Sequence, residues 1–163
     1  KWVSYRKSED ANYLRYAGFI SKEITPGERA FTVSWNGRAN LSSADGPLEI
    51  WVGSSHFAPI CGFRIEDGRM LWQTGGDHSD AGAFTNGGVH TVIWTIDRNA
   101  NTCSIGINGG GVNISLGSQP VTGTGLSNID TARPSLWLWF SEGGVGASTY
   151  DLNDIRIAET DRE

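Results

Sequence analysis

The chain has 163 residues, 38% of them apolar and 19% charged, which supplies one hydrophobic core and few surface charges. A net charge of −5 leaves no basic footprint for nucleic acid, and no apolar run approaches the roughly 18 residues of a membrane helix, so neither partner is expected. The 22 glycines and 7 tryptophans, against 1 methionine, are the unusual counts. The chain opens at Lys1 with no signal-peptide pattern, as expected of an excised module or a mature product.

No stretch carries a 3.6-residue period. Short alternating runs separated by Gly, Asn, Asp and Pro predict strands at Leu14–Ile20, Ala30–Asn36, Leu48–Gly53, Ile60–Glu66, Arg69–Thr74, Val89–Asp97, Thr102–Asn108, Val112–Leu116, Ser135–Ser141 and Thr149–Ala158. About ten strands in one domain, with a core spanning residues 14–158, predict an all-β fold of two packed antiparallel sheets or a closed barrel. No repeat or internal linker is visible, which sets aside a propeller or solenoid. Gly117–Asn128, rich in Gly, Ser and Thr, reads as a long surface loop.

Alternation assigns side chains to faces. Phe31, Val33 and Trp35 form a core set, with Thr32, Ser34 and Asn36 on the other face; Leu48, Ile50 and Val52 are core, which sends Trp51 outward. Val92, Trp94 and Ile96 are core, as are Cys103, Ile105 and Ile107. Asp67-Gly68 signals a two-residue hairpin turn, which pairs Glu66 with Arg69, Ile65 with Met70, Arg64 with Leu71 and Phe63 with Trp72. Trp72 is then core, while Arg64 and Gln73 lie on the opposite face.

Ser135–Ser141 places Leu136, Leu138 and Phe140 on one face and Trp137 and Trp139 on the other. With the leucine face inward, two indoles stand one pleat apart on the outside of a sheet. Exposed apolar patches mark contact sites, and an indole offers both a flat face to the C–H face of a pyranose and an N–H donor. Trp51, Trp137 and Trp139 are the candidate stacking residues; Arg64, Gln73 and Asn36 are the candidate hydrogen-bonding residues. The competing reading is ordinary packing: both faces of the Trp-Leu-Trp strand covered, and Arg64 paired with a neighbouring carboxylate.

Cys61 and Cys103 both fall in apolar strand segments. They read either as one disulfide or as two buried free thiols, and no Cys/His cluster suggests zinc. Asn40-Leu-Ser42 and Asn113-Ile-Ser115 match glycosylation sequons.

The segments Gly88-Val-His-Thr-Val-Ile-Trp-Thr-Ile-Asp97 and Cys103-Ser-Ile-Gly-Ile-Asn-Gly109 resemble paired strands of laminin-G-like and concanavalin A-like jelly-roll domains. Phe31-Thr-Val-Ser34, Leu48-Glu-Ile-Trp-Val52, Ile65-Glu-Asp-Gly-Arg-Met-Leu-Trp72 and Tyr150-Asp-Leu-Asn-Asp-Ile-Arg-Ile157 are similar to other strands of the same fold. The resemblance is at the level of fold. It implies a two-sheet antiparallel jelly-roll β-sandwich that is secreted, often belongs to a larger protein and often binds glycans. Such modules frequently hold a structural Ca2+. Asp77 and Asp80, beside Gly75-Gly76, are the candidate ligands here, with Asp45, Asp151 and Asp154 as others and ordinary loop acids as the competing reading.

Catalysis is not expected. The E-x-D-x-x-E pattern of jelly-roll glucanases and the R-x-E-L-R and Q-I-H motifs of jelly-roll lyases are absent, and Asp151 and Asp154, three apart, share a face only if a bulge intervenes. The first reading is therefore a non-catalytic module that binds a polysaccharide or oligosaccharide by aromatic stacking, on a sheet face or at edge loops such as Ser54–Ala58 and Gly75–Gly82. A laminin-G-like adhesion domain is the second, and a lyase or glycosidase with dispersed catalytic residues the third.

Overall fold

The structure, a computed structural model, describes residues 3–6, 16–23, 30–42, 47–55, 58–74, 78–121, 135–142 and 148–159; for 3–6, 16–23, 54–55, 58–59 and 135–142 it describes the backbone alone. Its strands are β1 (Val3–Arg6), β2 (Tyr16–Glu23), β3 (Ala30–Asn40), β4 (Leu48–Ser55), β5 (Ala58–Glu66), β6 (Arg69–Gln73), β7 (Ser79–Ala83), β8 (Val89–Asp97), β9 (Thr102–Gly109), β10 (Val112–Pro120), β11 (Ser135–Glu142) and β12 (Thr149–Glu159). They form two six-stranded antiparallel sheets. The first has the order β1-β12-β3-β8-β9-β10 and the second β2-β11-β4-β5-β6-β7.

The sandwich follows from the period-two pattern. Phe31, Val33 and Trp35 of β3, Val92, Trp94 and Ile96 of β8, and Cys103, Ile105 and Ile107 of β9 point inward from the first sheet. Ile50 and Val52 of β4, Cys61, Phe63 and Ile65 of β5, and Met70 and Trp72 of β6 point inward from the second. Trp94 sits where the layers meet, with ring centroids 5.4 Å from Trp72, 5.7 Å from Phe63 and 6.2 Å from Trp35. The Asp-Gly hairpin has the expected register, from Glu66↔Arg69 to Phe63↔Trp72. Asp67 and Gly68 both take positive φ, 48° and 71°, as a type I′ turn requires.

Two strands escape the pattern. β1 and β7 are short edge strands, and the sequence of β7, Ser-Asp-Ala-Gly-Ala, has no apolar alternation. The segment read as a surface loop from Gly117 instead continues β10 to Pro120 beyond a register shift between Leu116 and Gln119; residues 122–128 lie outside the described residues. Cys61 and Cys103 are free, buried thiols.

Inside the first sheet a polar group is carried into the core. Trp35 Nε1 donates to Tyr150 Oη at 3.0 Å, and Tyr150 Oη lies 2.8 Å from His90 Nε2. Tyr150 Oη thus links the indole to the imidazole: it accepts from Trp35, and the donor between Tyr150 and His90 is set by the histidine tautomer. Burial pulls His90 down to about 4, partly offset by the Gly88 carbonyl, and pushes the Tyr150 hydroxyl up.

Candidate functional site

The strand register of the second sheet decides what its outer face carries. Across β11, β4, β5 and β6 one row reads Trp139↔Trp51↔Gly62↔Gln73. The adjoining row reads Ser141↔Glu49↔Arg64↔Leu71↔Asp80, extending to β7. Trp137 stands opposite Gly53, one pleat from Trp139. Leu138 and Phe140 pair with the core positions Val52 and Ile50, so the backbone register assigns Trp137 and Trp139 to the face that carries Trp51. The side chains of these two tryptophans lie outside the described residues.

Trp51 is half-buried, and its orientation is explained by its neighbours. A Cβ built on Gly62 would fall 2.3 Å from Trp51 Cε3 and 2.4 Å from Cδ2, so the benzo ring lies across the Gly62 backbone. A glycine inside a strand permits such an approach. The other end of the indole is held by Nε1 donating to Glu49 Oε2 at 3.3 Å. Trp51 is thus supported by sheet below and tethered along its edge.

Around it the charges are arranged in pairs. Arg64 Nη2 donates to Glu66 Oε1 at 3.0 Å, while Arg64 Nε is buried without a hydrogen-bond partner. Arg69 donates to the Asp80 carboxylate across the β6–β7 ladder, and Asp80 Oδ1 also accepts from Gly82 N at 3.0 Å. The Arg69 hydrogen bond is the main reason the Asp80 carboxyl titrates below its usual range. The expected Glu66–Arg69 pair keeps its register, but the ion pairs are Arg64–Glu66 and Arg69–Asp80.

Five of the six candidate sugar-contacting residues therefore belong to one sheet face by register: Trp51, Arg64, Gln73, Trp137 and Trp139. Asn36 does not join them. It lies on the outer face of the first sheet, opposite Asn153 and Thr91, and accepts a hydrogen bond from Thr91 Oγ1 at 2.8 Å. Glu49 and Gly62, which orient Trp51, went unrecognised in the sequence; an isolated glycine within an apolar strand was the available signal.

Of the calcium candidates, Asp77 and Asp45 lie outside the described residues, and Asp80 is engaged by Arg69. Among the described residues no group of three or more His, Cys, Asp or Glu gathers to hold a metal. Asp154 lies within the bulge between Asn153 and Arg156 and Asp151 just before it, but each has its own arginine: Arg38 at 2.6 Å from Asp151 and Arg156 at 3.0 Å from Asp154.

A two-sheet antiparallel sandwich that carries a half-buried tryptophan, Trp51, on the outer side of its second sheet is the class that fold and site define. Comparisons by sequence find no matching protein family and no matching curated protein. Among solved structures, a sialidase matches with TM-score 0.70 at 12% identity over 98% of this chain, which spans only 15% of that protein. A glycoside hydrolase family 43 protein from Bacillus licheniformis matches with TM-score 0.63 at 11% identity, over 98% of this chain and 33% of that one. A lectin, UEA-II, complexed with galactose matches with TM-score 0.59 at 13% identity, over 96% of this chain and 86% of that one. At these identities the likeness is one of fold, and the fold is the concanavalin A-like jelly roll.

Proposed function

We propose that this chain is a non-catalytic carbohydrate-binding module that holds a polysaccharide or oligosaccharide on the outer face of its second sheet. The observation that carries the reading is the Trp51 indole laid across Gly62 and tethered to Glu49. A ring fixed in that way presents its free face to a pyranose with little ordering cost on binding. Trp139, opposite Trp51 in the register, and Trp137, one pleat further on, extend the platform to neighbouring sugar units. Arg64 and Gln73 supply donors to hydroxyls. The names of proteins sharing the fold, a sialidase, a glycoside hydrolase and a galactose-bound lectin, support a sugar partner.

Binding rather than catalysis is favoured by the state of the acids. On the described part of this face, Glu66 and Asp80 are ion-paired with Arg64 and Arg69 and Glu49 holds the Trp51 indole, whereas glycoside cleavage uses two carboxyl groups that flank the scissile bond, one of them protonated. Stacking needs no cofactor; a structural Ca2+ held by Asp77 and Asp80 would compete with Arg69 for the Asp80 carboxylate. The module belongs, in this reading, to a larger secreted protein.

Affinity electrophoresis against a panel of soluble polysaccharides, with the folded Trp51→Ala and Trp139→Ala variants beside the parent chain, tests the proposal. The parent is retarded by at least one polymer, and each variant binds about tenfold or more weakly, as expected for loss of an aromatic anchor. Retardation unaltered in both variants overturns it, and release of reducing sugar from any polymer shifts the reading to an enzyme.

A further inference from the structure

At one end of the sandwich the described walls enclose a cavity of about 390 Å³. Leu41 and Ser42, just past β3, line it from the first sheet, and Ile65, Glu66 and the Asp67-Gly68 turn line it from the second. Phe84 and Asn86, between β7 and β8, form a further wall. The volume falls at the small end of the range for ligand pockets, roughly 300–1,000 Å³. The floor is apolar and blind: Ile65 and Phe84 are core residues, 2% and 5% exposed, with Leu41 packed against the same core.

The walls are tied to one another. Phe84 N donates to the Gly68 carbonyl and Gly87 N to the Ala39 carbonyl, both at 2.8 Å. The Asn86 side chain clamps Leu41 twice, Nδ2 donating to its carbonyl at 2.6 Å and Oδ1 accepting from its N–H at 3.3 Å. A cavity shaped by such bonds needs little ordering when it is filled. Its rim carries acceptors. Glu66 is neutralised by Arg64, while Asp67 is exposed and enters no ion pair among the described residues. No Lys or Arg belongs to the described walls.

We propose that this cavity takes the terminal sugar of a neutral glycan chain, an inference that rests on the reading of the protein as a glycan-binding module. The walls select that occupant. A pyranose offers an apolar C–H face to Leu41, Ile65 and Phe84, and adjacent hydroxyls that donate to the Asp67 carboxylate. Asn86 keeps one N–H and one lone pair beyond its clamp for a further hydroxyl. An anionic sugar would meet two carboxylates and no wall cation. Because the floor is blind, a chain enters by its end and does not run through. Glu66 joins the cavity to the aromatic platform: it stands two pleats along β5 from Gly62, about 13 Å, on the side that carries Arg64 and Trp51. A chain whose last sugar sits in the cavity then lies back over Trp51.

The test uses single-ring probes: the methyl glycosides of glucose, galactose, mannose and N-acetylglucosamine, with methyl glucuronide as the anionic control. Each is titrated into the 15N-labelled chain and followed by amide chemical shifts. Saturable shifts at Gly68, Asn86 and Gly87 are expected with at least one neutral probe. Asp67→Asn, which keeps a residue suited to the turn, weakens that binding about fivefold or more, and Ser42→Phe, whose ring fills the mouth, removes it. Trp51→Ala leaves those shifts in place while polymer retardation falls, which separates the cavity from the platform. No saturable shift with any neutral probe, or shifts confined to β4 and β5 around Trp51 and Gly62, overturns the cavity proposal and leaves the platform reading standing. A stronger response to methyl glucuronide also overturns it. Failure of the platform reading shows instead as polymer retardation indifferent to Trp51→Ala. The shift map of the unaltered chain decides the matter even where a variant fails to fold.

Discussion

Trp51 occupies the volume that a side chain at residue 62 would fill, so the geometry of the aromatic platform depends on a glycine of the adjacent strand. Gly62→Ala is expected to lift or rotate the indole, because the neighbour it meets is a side chain that can move. Glycan binding should weaken roughly fivefold or more, about 1 kcal/mol, while the melting temperature changes by only a few degrees. Titration calorimetry on the folded variant checks this. Unchanged affinity would mean that ring position on β4 does not matter to the ligand.

The charges on this face bear on which glycan it takes. Its described acids, Glu49, Glu66 and Asp80, stand against two guanidinium groups, Arg64 and Arg69, and the arginines are already paired within the protein. A uronate or sialate would meet a slightly negative surface with no uncommitted cation on the described part of it. Neutral polymers are therefore the expected ligands, and their affinity should change less than about twofold between low and physiological salt, since stacking is not screened. A panel that includes acidic polysaccharides measures both. Selective, salt-sensitive binding of an acidic polymer would contradict this account.

Much of this was readable in the chain. The Asp-Gly turn fixed the register of β5 against β6, and with it the assignment of Trp72 to the core and of Arg64 and Gln73 to the outer face. Alternation likewise turned Trp51 outward. What alternation cannot express is sheet membership. Asn36 and Trp51 both point away from the core, but β3 pairs with β8 and β12 while β4 pairs with β5 and β11, so they emerge on opposite surfaces of the sandwich. Apart from the β4–β5 hairpin, these pairings join strands distant in sequence, β3 with β8 and β12 and β4 with β11, which leave no local mark. The edge strand β7 was hidden for a different reason: with one side unpaired and its pattern largely exposed, it has no apolar periodicity to read.

The Trp35–Tyr150–His90 chain predicts where the core is least tolerant. A Cβ at Gly37 would fall 2.2 Å from Tyr150 Oη and 2.7 Å from His90 Nε2, two groups fixed by hydrogen bonds to each other and to Trp35. Gly37→Ala is expected to cost about 2–3 kcal/mol through overpacking of a site that cannot relax. Tyr150→Phe should cost a similar amount, roughly 1–3 kcal/mol, by leaving the Trp35 N–H and His90 Nε2 buried without their shared partner. Urea unfolding of both variants tests this. A loss below about 0.5 kcal/mol in either would show that the network tolerates change.

His90 makes the stability of the sandwich depend on pH. Burial lowers it from 6.5 to about 4 in the folded chain, so the unfolded chain takes up the proton first as pH falls. Stability from this group is fully present above about pH 6.5, declines between there and pH 4, and is constant again below the folded value. The full difference is about 3 kcal/mol. The Asp80–Arg69 pair on the surface adds a loss at still lower pH, where the depressed carboxyl is finally protonated. Chemical denaturation at pH 7.5 and 4.5 should therefore show a marked loss in the parent chain. A His90→Gln variant, which keeps a hydrogen-bonding partner for Tyr150 but has no titrating ring, should lose much less between the same two conditions. An equal loss in both proteins would assign the acid sensitivity to the carboxylates instead.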